Sequence, residues 1–369
     1  MSDLQNTVRD VILKNYKQGF KEEDTVLEPE EKEPEFVVGS VPEEDAEGRI
    51  MYSSIPGAEE WLSSTKKKDL DISSLVHEVS EWSEDDQIFI PTKESVKYYV
   101  PQHNVMYTAV IAMLESLKVL VVGPTGSGKT EMYKYLAAQF NQPYYRLGGR
   151  GDMESDTIFG KMIITPEGTT EFAEGDFVRA YENGYLVALD EPWKLPPHIM
   201  MSLQRVLERD GIIQLDDKPG TLLEKQVSPH AKTHLVLCDN VVGTGDDSDR
   251  FAATQLQDSS SLNRVDLVLR LNYLEQEVET GMLLNRYSFL PKGKAKRAVQ
   301  LANLIRKGYE KRQLSVTMSP RNLMAWLEMA YKLQDYKESF KAVMLERFAE
   351  ESEKSTVRGF WQTVFGSSL

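Results

Sequence analysis

Residues 119–130 read VLVVGPTGSGKT: four apolar residues, Val119 to Val122, then Gly123, Pro124, Thr125, Gly126, Ser127, Gly128, Lys129 and Thr130. The first four have the unbroken apolar texture of a strand covered on both faces. The last eight match G-x-x-x-x-G-K-[ST] in full, with a helical pattern following over 129–141. Each residue type suits a polyphosphate. Glycines let backbone N–H groups curl around a β-phosphate, and the helix that opens near Lys129 adds the positive end of its dipole. Lys129 can neutralise the β- and γ-oxygens and the Thr130 hydroxyl can ligate Mg²⁺, with Glu131 completing the set at the first helical turn. ATP and Mg²⁺ are the expected cofactors.

About sixty residues downstream of the loop, a second apolar run, Tyr185–Leu189, ends in Asp190 and Glu191. This places two carboxylates at the carboxyl edge of a sheet, where open α/β folds bind their ligands. Asp190 is expected to hold a Mg²⁺-bound water, and Glu191 to polarise an attacking water. A second acid of this kind separates turnover from mere binding.

Further buried-type strands are expected at Tyr144–Leu147, His234–Cys238 and Val265–Leu269, alternating with helices at Asn104–Leu117, Lys129–Asn141, Asp176–Asn183 and Pro197–Arg209. The fold class is therefore α/β, a P-loop core with a parallel sheet covered by helices. Met162–Phe172 reads as a hairpin around Pro-Glu-Gly. After Tyr273 the strand signals stop. Amphipathic helices are expected at Glu275–Phe289, Lys294–Arg312, Pro320–Gln334 and Lys337–Glu350, followed by a tail. Four regions result: an N-terminal helix and acidic linker (1–50), a small module (51–97), the α/β core (98–274) and a C-terminal helical lid with its tail (275–369).

The composition limits the alternatives. A hydrophobic content of 41% fits a chain with a proper core, and no run approaches the eighteen or so apolar residues of a membrane span. The start MSDLQNTVRD lacks the basic and apolar regions of a leader, so a cytoplasmic address is expected. Of the net charge of −15, residues 1–100 carry −13. Such an acidic balance argues against direct nucleic-acid binding. The single cysteine, Cys238, lies in an apolar run and reads as a buried structural thiol. With one cysteine and five scattered histidines, a transition-metal site has little support.

Three further polar residues stand at strand ends or helix starts: Asn240 in Leu-Cys-Asp-Asn, Arg264 in Ser-Leu-Asn-Arg and Arg321 in Ser-Pro-Arg. Phosphate loop, acidic pair, asparagine, arginine before the last strand and arginine in a helical lid form an order that resembles the AAA+ ATPases. Five linked strings sharpen the likeness: GRGDMESDTIFG (149–160), EFAEGDFVRA (171–180), LDEPWKLPPHIMMSLQRVLE (189–208), DNVVGTGD (239–246) and NYL (272–274). They resemble the ATPase subunit of aerobic cobaltochelatase, in the MoxR and magnesium-chelatase neighbourhood, over about residues 98–274.

The resemblance implies that Asn240 is sensor 1 beside Glu191, that Arg321 is sensor 2 reaching the γ-phosphate, and that Arg264 is the arginine finger acting on a neighbouring subunit's nucleotide. Val265 stands where the family carries an aromatic residue after the finger, and Arg205, Arg209 and Arg250 are nearby alternatives. The resemblance further implies a homo-hexameric ring, a hairpin insert at 162–172 facing a pore or partner, with an ordinary surface hairpin as the alternative, and a protein partner with a von Willebrand factor A-type domain. Three functions stay open at this point: a remodelling or assembly ATPase with its own client, an authentic cobaltochelatase motor, and a nucleotide-dependent scaffold with little turnover.

Overall fold

A computed structural model describes residues 44–240 and 263–369. The expected helix within residues 2–17, most of the acidic linker, the greater part of the 239–246 string and Arg250 lie outside the described residues. Two compact units are formed, one running Phe36–Tyr273 and the other containing Leu274–Leu369.

The first unit is built on five parallel strands whose order does not follow the chain. In chain order the strands are β1 (Val119–Val122), β2 (Tyr144–Gly148), β3 (Gly160–Ile164), β4 (Thr170–Glu174), β5 (Leu186–Asp190), β6 (Ile213–Gln214), β7 (Gln226–Val227), β8 (His234–Asp239) and β9 (Leu267–Arg270). The main sheet has the order β2-β5-β8-β1-β9. Its central strands are apolar apart from His234 and the terminal acids Asp190 and Asp239 because helices cover both faces, and β1 and β5 are buried along their whole length. The strand β8 therefore lies between the one that precedes the phosphate loop and the one that ends in the acids. Register fixes the consequence: Val122 pairs with Asp239, and Asp190 pairs with Cys238.

Two hydrophobic cores flank this sheet. On one side the helices His103–Leu114 and Lys129–Phe140 bury Met106, Val110, Met132 and Leu136. Tyr52, Ile55, Ile72 and Leu75 from the small N-terminal module belong to that same core. The module is too short to enclose an interior of its own, and it completes the α/β core instead. On the other side Phe177, Tyr181, Trp193, Ile199 and Leu203 pack against Val187, Leu189 and Leu237.

The hairpin expected at 162–172 is present as antiparallel β3 and β4, with Met162 opposite Phe172 and Gly168 taking the left-handed turn position at φ +79. The two-residue pair β6/β7 is too short for any sequence signal. His230 and His234 stand four apart, but the second opens an extended strand, and among the described residues no group of three His, Cys, Asp or Glu could hold a metal. Among the same residues no helix is long and apolar enough to cross a membrane.

The second unit is helical: Gln276–Arg286, Lys292–Glu310, Pro320–Leu333, Tyr336–Val343 and Glu351–Phe365. Two expectations are corrected here. The single helix expected over Lys337–Glu350 ends at Val343, because Met344 leaves helical geometry and a 3-10 turn follows over Leu345–Arg347. That turn buries Met344, Leu345 and Phe348 together. The expected tail is instead a fifteen-residue helix, anchored by Val357 and Trp361, with the Trp361 ring 5.8 Å from that of Trp326. An Arg306–Glu279 ion pair is buried inside this unit, and Arg306 Nε also donates to Met318 O at 2.8 Å, just ahead of the helix that carries Arg321.

His77 is buried with Glu81 Oε2 3.7 Å from its Nδ1 and the Trp82 ring 5.2 Å away. Burial pulls its imidazole down to about 4, Lys232 adding to the effect and Glu81 opposing it. An imidazole that the fold keeps neutral contributes stability that is complete above about pH 6.5 and is lost as pH falls towards 4. The unfolding free energy in urea is expected to be on the order of 1 kcal/mol lower at pH 5 than at pH 7. In His77→Gln that difference should shrink.

Candidate nucleotide site

The phosphate loop leaves β1 and turns into the helix Lys129–Phe140 through two left-handed glycines, Gly126 at φ +78 and Gly128 at φ +94. Side chains pay a steric penalty in this region, so the motif's glycines are backbone requirements. Gly123 is a requirement of another kind: a Cβ there would meet Leu271 O at 2.0 Å. Tyr99 packs beneath the loop, its ring edge 3.4 Å from where a Gly128 Cβ would lie and its centroid 5.0 Å from that of Tyr135. That contact is one of packing. Among the described residues the Ser127 hydroxyl is buried without a hydrogen-bond partner, a polar group inside the cradle able to serve an anionic ligand.

Lys129 is buried, and its ammonium donates to Gly123 O at 2.9 Å, Pro124 O at 3.1 Å and Asn240 Oδ1 at 2.9 Å. Burial lowers its pKa, and the neighbouring carboxylates of Asp190, Asp239 and Glu191 oppose the shift. Thr125 Oγ1 donates to the same Asn240 oxygen at 3.4 Å. Thr130 lies in the first helical turn, its carbonyl accepting from Tyr144 OH at 3.2 Å, and the Glu131 carboxylate is 3.9 Å from Lys134.

Asp190 is the last residue of β5 and is buried. Arg146 reaches its Oδ2 from β2, with Nε at 2.8 Å and a second contact from Nη2. Register explains the reach. Gly148 stands directly opposite Asp190, and a Cβ there would touch nothing within 4 Å, so the Arg146 side chain crosses the open diagonal. Glu191 leaves the strand in the left-handed region at φ 54 and ψ 47, its N–H bonded to Cys238 O at 2.7 Å. For a residue with a Cβ this conformation is strained, and such strain is kept where the surroundings over-determine it. Here Gly149 helps: a Cβ on it would meet Glu191 O at 2.2 Å, so only glycine lets the end of β2 pass so close. The Glu191 carboxylate accepts from Asn240 Nδ2 at 3.2 Å through Oε1 and from Lys194 Nζ at 2.7 Å through Oε2.

Asn240 thus bridges the two halves, its amide oxygen on Lys129 and its amide nitrogen on Glu191. The strand order produces this, since β8 lies between β1 and β5. Arg264 is half-buried in the same unit and donates Nε to Glu208 Oε1 at 3.4 Å. Arg205 and Arg209 are exposed. Arg321 is an exposed second residue of Pro320–Leu333 in the helical unit, behind a capping box of Ser319 and Asn322. Cys238 is fully buried, which raises its thiol pKa well above the usual range. Arg146, Lys194 and Gly149 were missed in the sequence. The charge of Arg146 inside a strand-like run was a signal for the first; the second shows only as a lysine three residues after the acid pair.

Phosphate loop, paired acids and a bridging amide, all at one sheet edge, define a P-loop nucleotide-binding module of the AAA+ class. Residues 118–264, the part of the chain that carries the phosphate loop and the paired acids, match the model of the AAA domain, dynein-related subfamily. The chain is 28% identical over 324 residues to the aerobic cobaltochelatase subunit CobS of a Sinorhizobium species, covering 82% of this chain and 95% of that relative. It is 23% identical to protein NorQ of Paracoccus denitrificans, covering 73% of this chain and 94% of the relative. Among solved structures, the RuvB Holliday junction branch migration motor of Thermotoga maritima is 14% identical, covers 66% of this chain and 70% of its own, and gives a TM-score of 0.41.

Proposed function

We propose that this chain is an ATP-hydrolysing motor that remodels or assembles a partner protein. The observation that carries this reading is the Lys129–Asn240–Glu191 chain of hydrogen bonds, which links the loop that would cradle a triphosphate to the acid that would prime water. Backbone N–H groups of Gly123–Thr130 and the Lys129 ammonium hold the phosphates. Thr130 and Asp190 supply hard oxygen donors for Mg²⁺, an ion usually bound by one or two protein oxygens together with substrate phosphates. When bound, Mg²⁺ supplies charge neutralisation on the transferred phosphoryl group. Glu191 orients and polarises the attacking water, and Asn240 holds the carboxylate that does so.

Arg264 is proposed to act in trans on a neighbouring copy's nucleotide and Arg321 on the copy's own, within a homo-hexameric ring. A protein with a von Willebrand factor A-type domain is the proposed partner, and the cytoplasm the proposed location. A second reading, a cobaltochelatase motor, draws on the 95% coverage of CobS. The motor reading is preferred because the phosphate loop, the paired acids and Asn240 carry it without a metal cargo.

An arginine finger is worth roughly 10³–10⁵ in kcat, so a finger in trans makes activity depend on assembly. Phosphate release per chain is expected to climb with protein concentration and to level off once sedimentation shows a ring. In Arg264→Ala the ring should form while the rate stays low at every concentration. A rate per chain that is independent of concentration, in a protein that sediments as a monomer, contradicts the trans arrangement.

A further inference from the structure

The hydrolytic site contains a lysine that the reading above leaves without a role. Lys194 ends the 3-10 turn Pro192–Lys194 directly after Glu191. Its neighbours on both sides are fixed: Trp193 is fully buried and Leu195 is 1% exposed, both in the core that packs against Val187 and Leu189. Pro192, Pro196 and Pro197 restrict the backbone around it, since each locks its own φ. Between these two buried anchors Lys194 stays part-exposed and reaches the Glu191 carboxylate. Nζ meets Oε2 at 2.7 Å, while Asn240 Nδ2 meets Oε1 at 3.2 Å.

We propose that Lys194 is a positioning residue for the reaction: with Asn240 it grips the Glu191 carboxylate by both oxygens and fixes where that carboxylate meets water. This inference rests on the reading of Glu191 given above.

Three observations support it. Both partners of the Lys194–Glu191 pair are 35% exposed, and pairs of that exposure contribute little to stability. The backbone of Glu191 is held by the Cys238 carbonyl and by the close pass of Gly149, so the side-chain torsions are the only freedom left to the acid. Each carboxylate oxygen offers about two lone-pair sites, so one donor on each still leaves room for a water proton. A general base displaced by about 1 Å can lose roughly 10²-fold in rate, which makes a two-point grip consequential.

The test uses the full chain and four variants, Lys194→Met, Lys194→Arg, Lys194→Gln and Glu191→Gln. For each, steady-state phosphate release is measured together with the affinity for a fluorescent ATP analogue and the thermal unfolding midpoint. In Lys194→Met and Lys194→Gln, kcat should fall about tenfold. KM and nucleotide affinity should stay within about twofold, because among the described residues the Lys194 ammonium hydrogen-bonds to Glu191 and not to the phosphate loop. Lys194→Arg should restore most of the rate, since a guanidinium can donate to the same oxygen. A merely structural lysine would lower the unfolding midpoint, move KM together with kcat, and show no such rescue; that pattern overturns the proposal. So does wild-type kcat in Lys194→Met. If Glu191→Gln itself keeps the wild-type rate, the assignment of Glu191 fails and this proposal with it. If Glu191→Gln abolishes hydrolysis and Lys194→Met does not slow it, only the role of Lys194 falls.

Discussion

Glu191→Gln is expected to bind ATP as tightly as the wild type and to release phosphate about 10²–10⁴-fold more slowly, the range by which a positioned general base contributes. The glutamine amide has nearly the carboxylate's shape. One of its polar atoms can still accept from Lys194 or Asn240, so the left-handed turn at 191 and the packing of Trp193 should survive. What it lacks is a negatively charged oxygen that draws a proton from water. Nucleotide contacts are made elsewhere, by the loop at Gly123–Thr130. The separation between the two readouts is the diagnostic: affinity by titration with a fluorescent analogue unchanged, phosphate release lost. A variant that loses both has a disturbed fold, which circular dichroism would show. One that loses neither removes Glu191 from the reaction.

Lys129→Ala carries the other large effect, and it acts on binding. Hydrogen bonds to charged groups contribute about 1.5–3 kcal/mol each. Losing the ammonium from the β- and γ-oxygens should therefore weaken ATP by at least about 3 kcal/mol, roughly 10²-fold in Kd. The loss extends beyond nucleotide. Lys129 also joins Gly123 O, Pro124 O and Asn240 Oδ1, so its removal leaves Asn240 tied to the loop through the longer Thr125 contact at 3.4 Å and takes one donor from each of three acceptors. A modest drop in thermal stability is expected alongside the lost affinity, of the size of one or two unmet buried hydrogen bonds, about 1–3 kcal/mol. Isothermal titration with ATP and a thermal melt of the same sample check both parts.

The unequal legibility of the site has a physical reason. The phosphate loop is written in consecutive residues, because backbone approach dictates glycine at 126 and 128 and charge neutralisation dictates Lys129. The acids at 190 and 191 show themselves by ending an apolar run. Asn240 stands out as a polar residue after a buried strand, but its place between loop and acids is decided by the insertion of β8 between β1 and β5, which no local pattern encodes. Arg146 finds Asp190 only through the pairing of β2 with β5, and Gly149 is required only because Glu191 passes beside it. These are long-range facts, set when the sheet assembles.

The fold shows the same division. The five strands of the main sheet are visible as apolar texture to within two residues at their ends, and most helices as 3.6-residue spacing, although the expected Asn104–Leu117, Pro197–Arg209 and Glu275–Phe289 each run three residues past the observed helix end. The break after Val343 was hidden because helix-favouring residues continue through it, and burial of Met344, Leu345 and Phe348 outweighed that local preference. The closing helix was in principle visible. Val357, Trp361 and Val364 repeat at helical spacing behind a glutamate-rich first turn, itself a helix-start signal, so the expectation of a tail passed over a pattern that was there.

The most direct measurement is the number of phosphates released per chain by the wild-type protein, at ring-forming concentration with saturating ATP and Mg²⁺, followed beside Glu191→Gln. Many phosphates per wild-type chain, against fewer than one per chain for the variant over the same period, is the result this account predicts. Tight ATP binding by the wild type with no release beyond a single phosphate per chain would contradict it, and would leave the molecule a nucleotide-dependent scaffold.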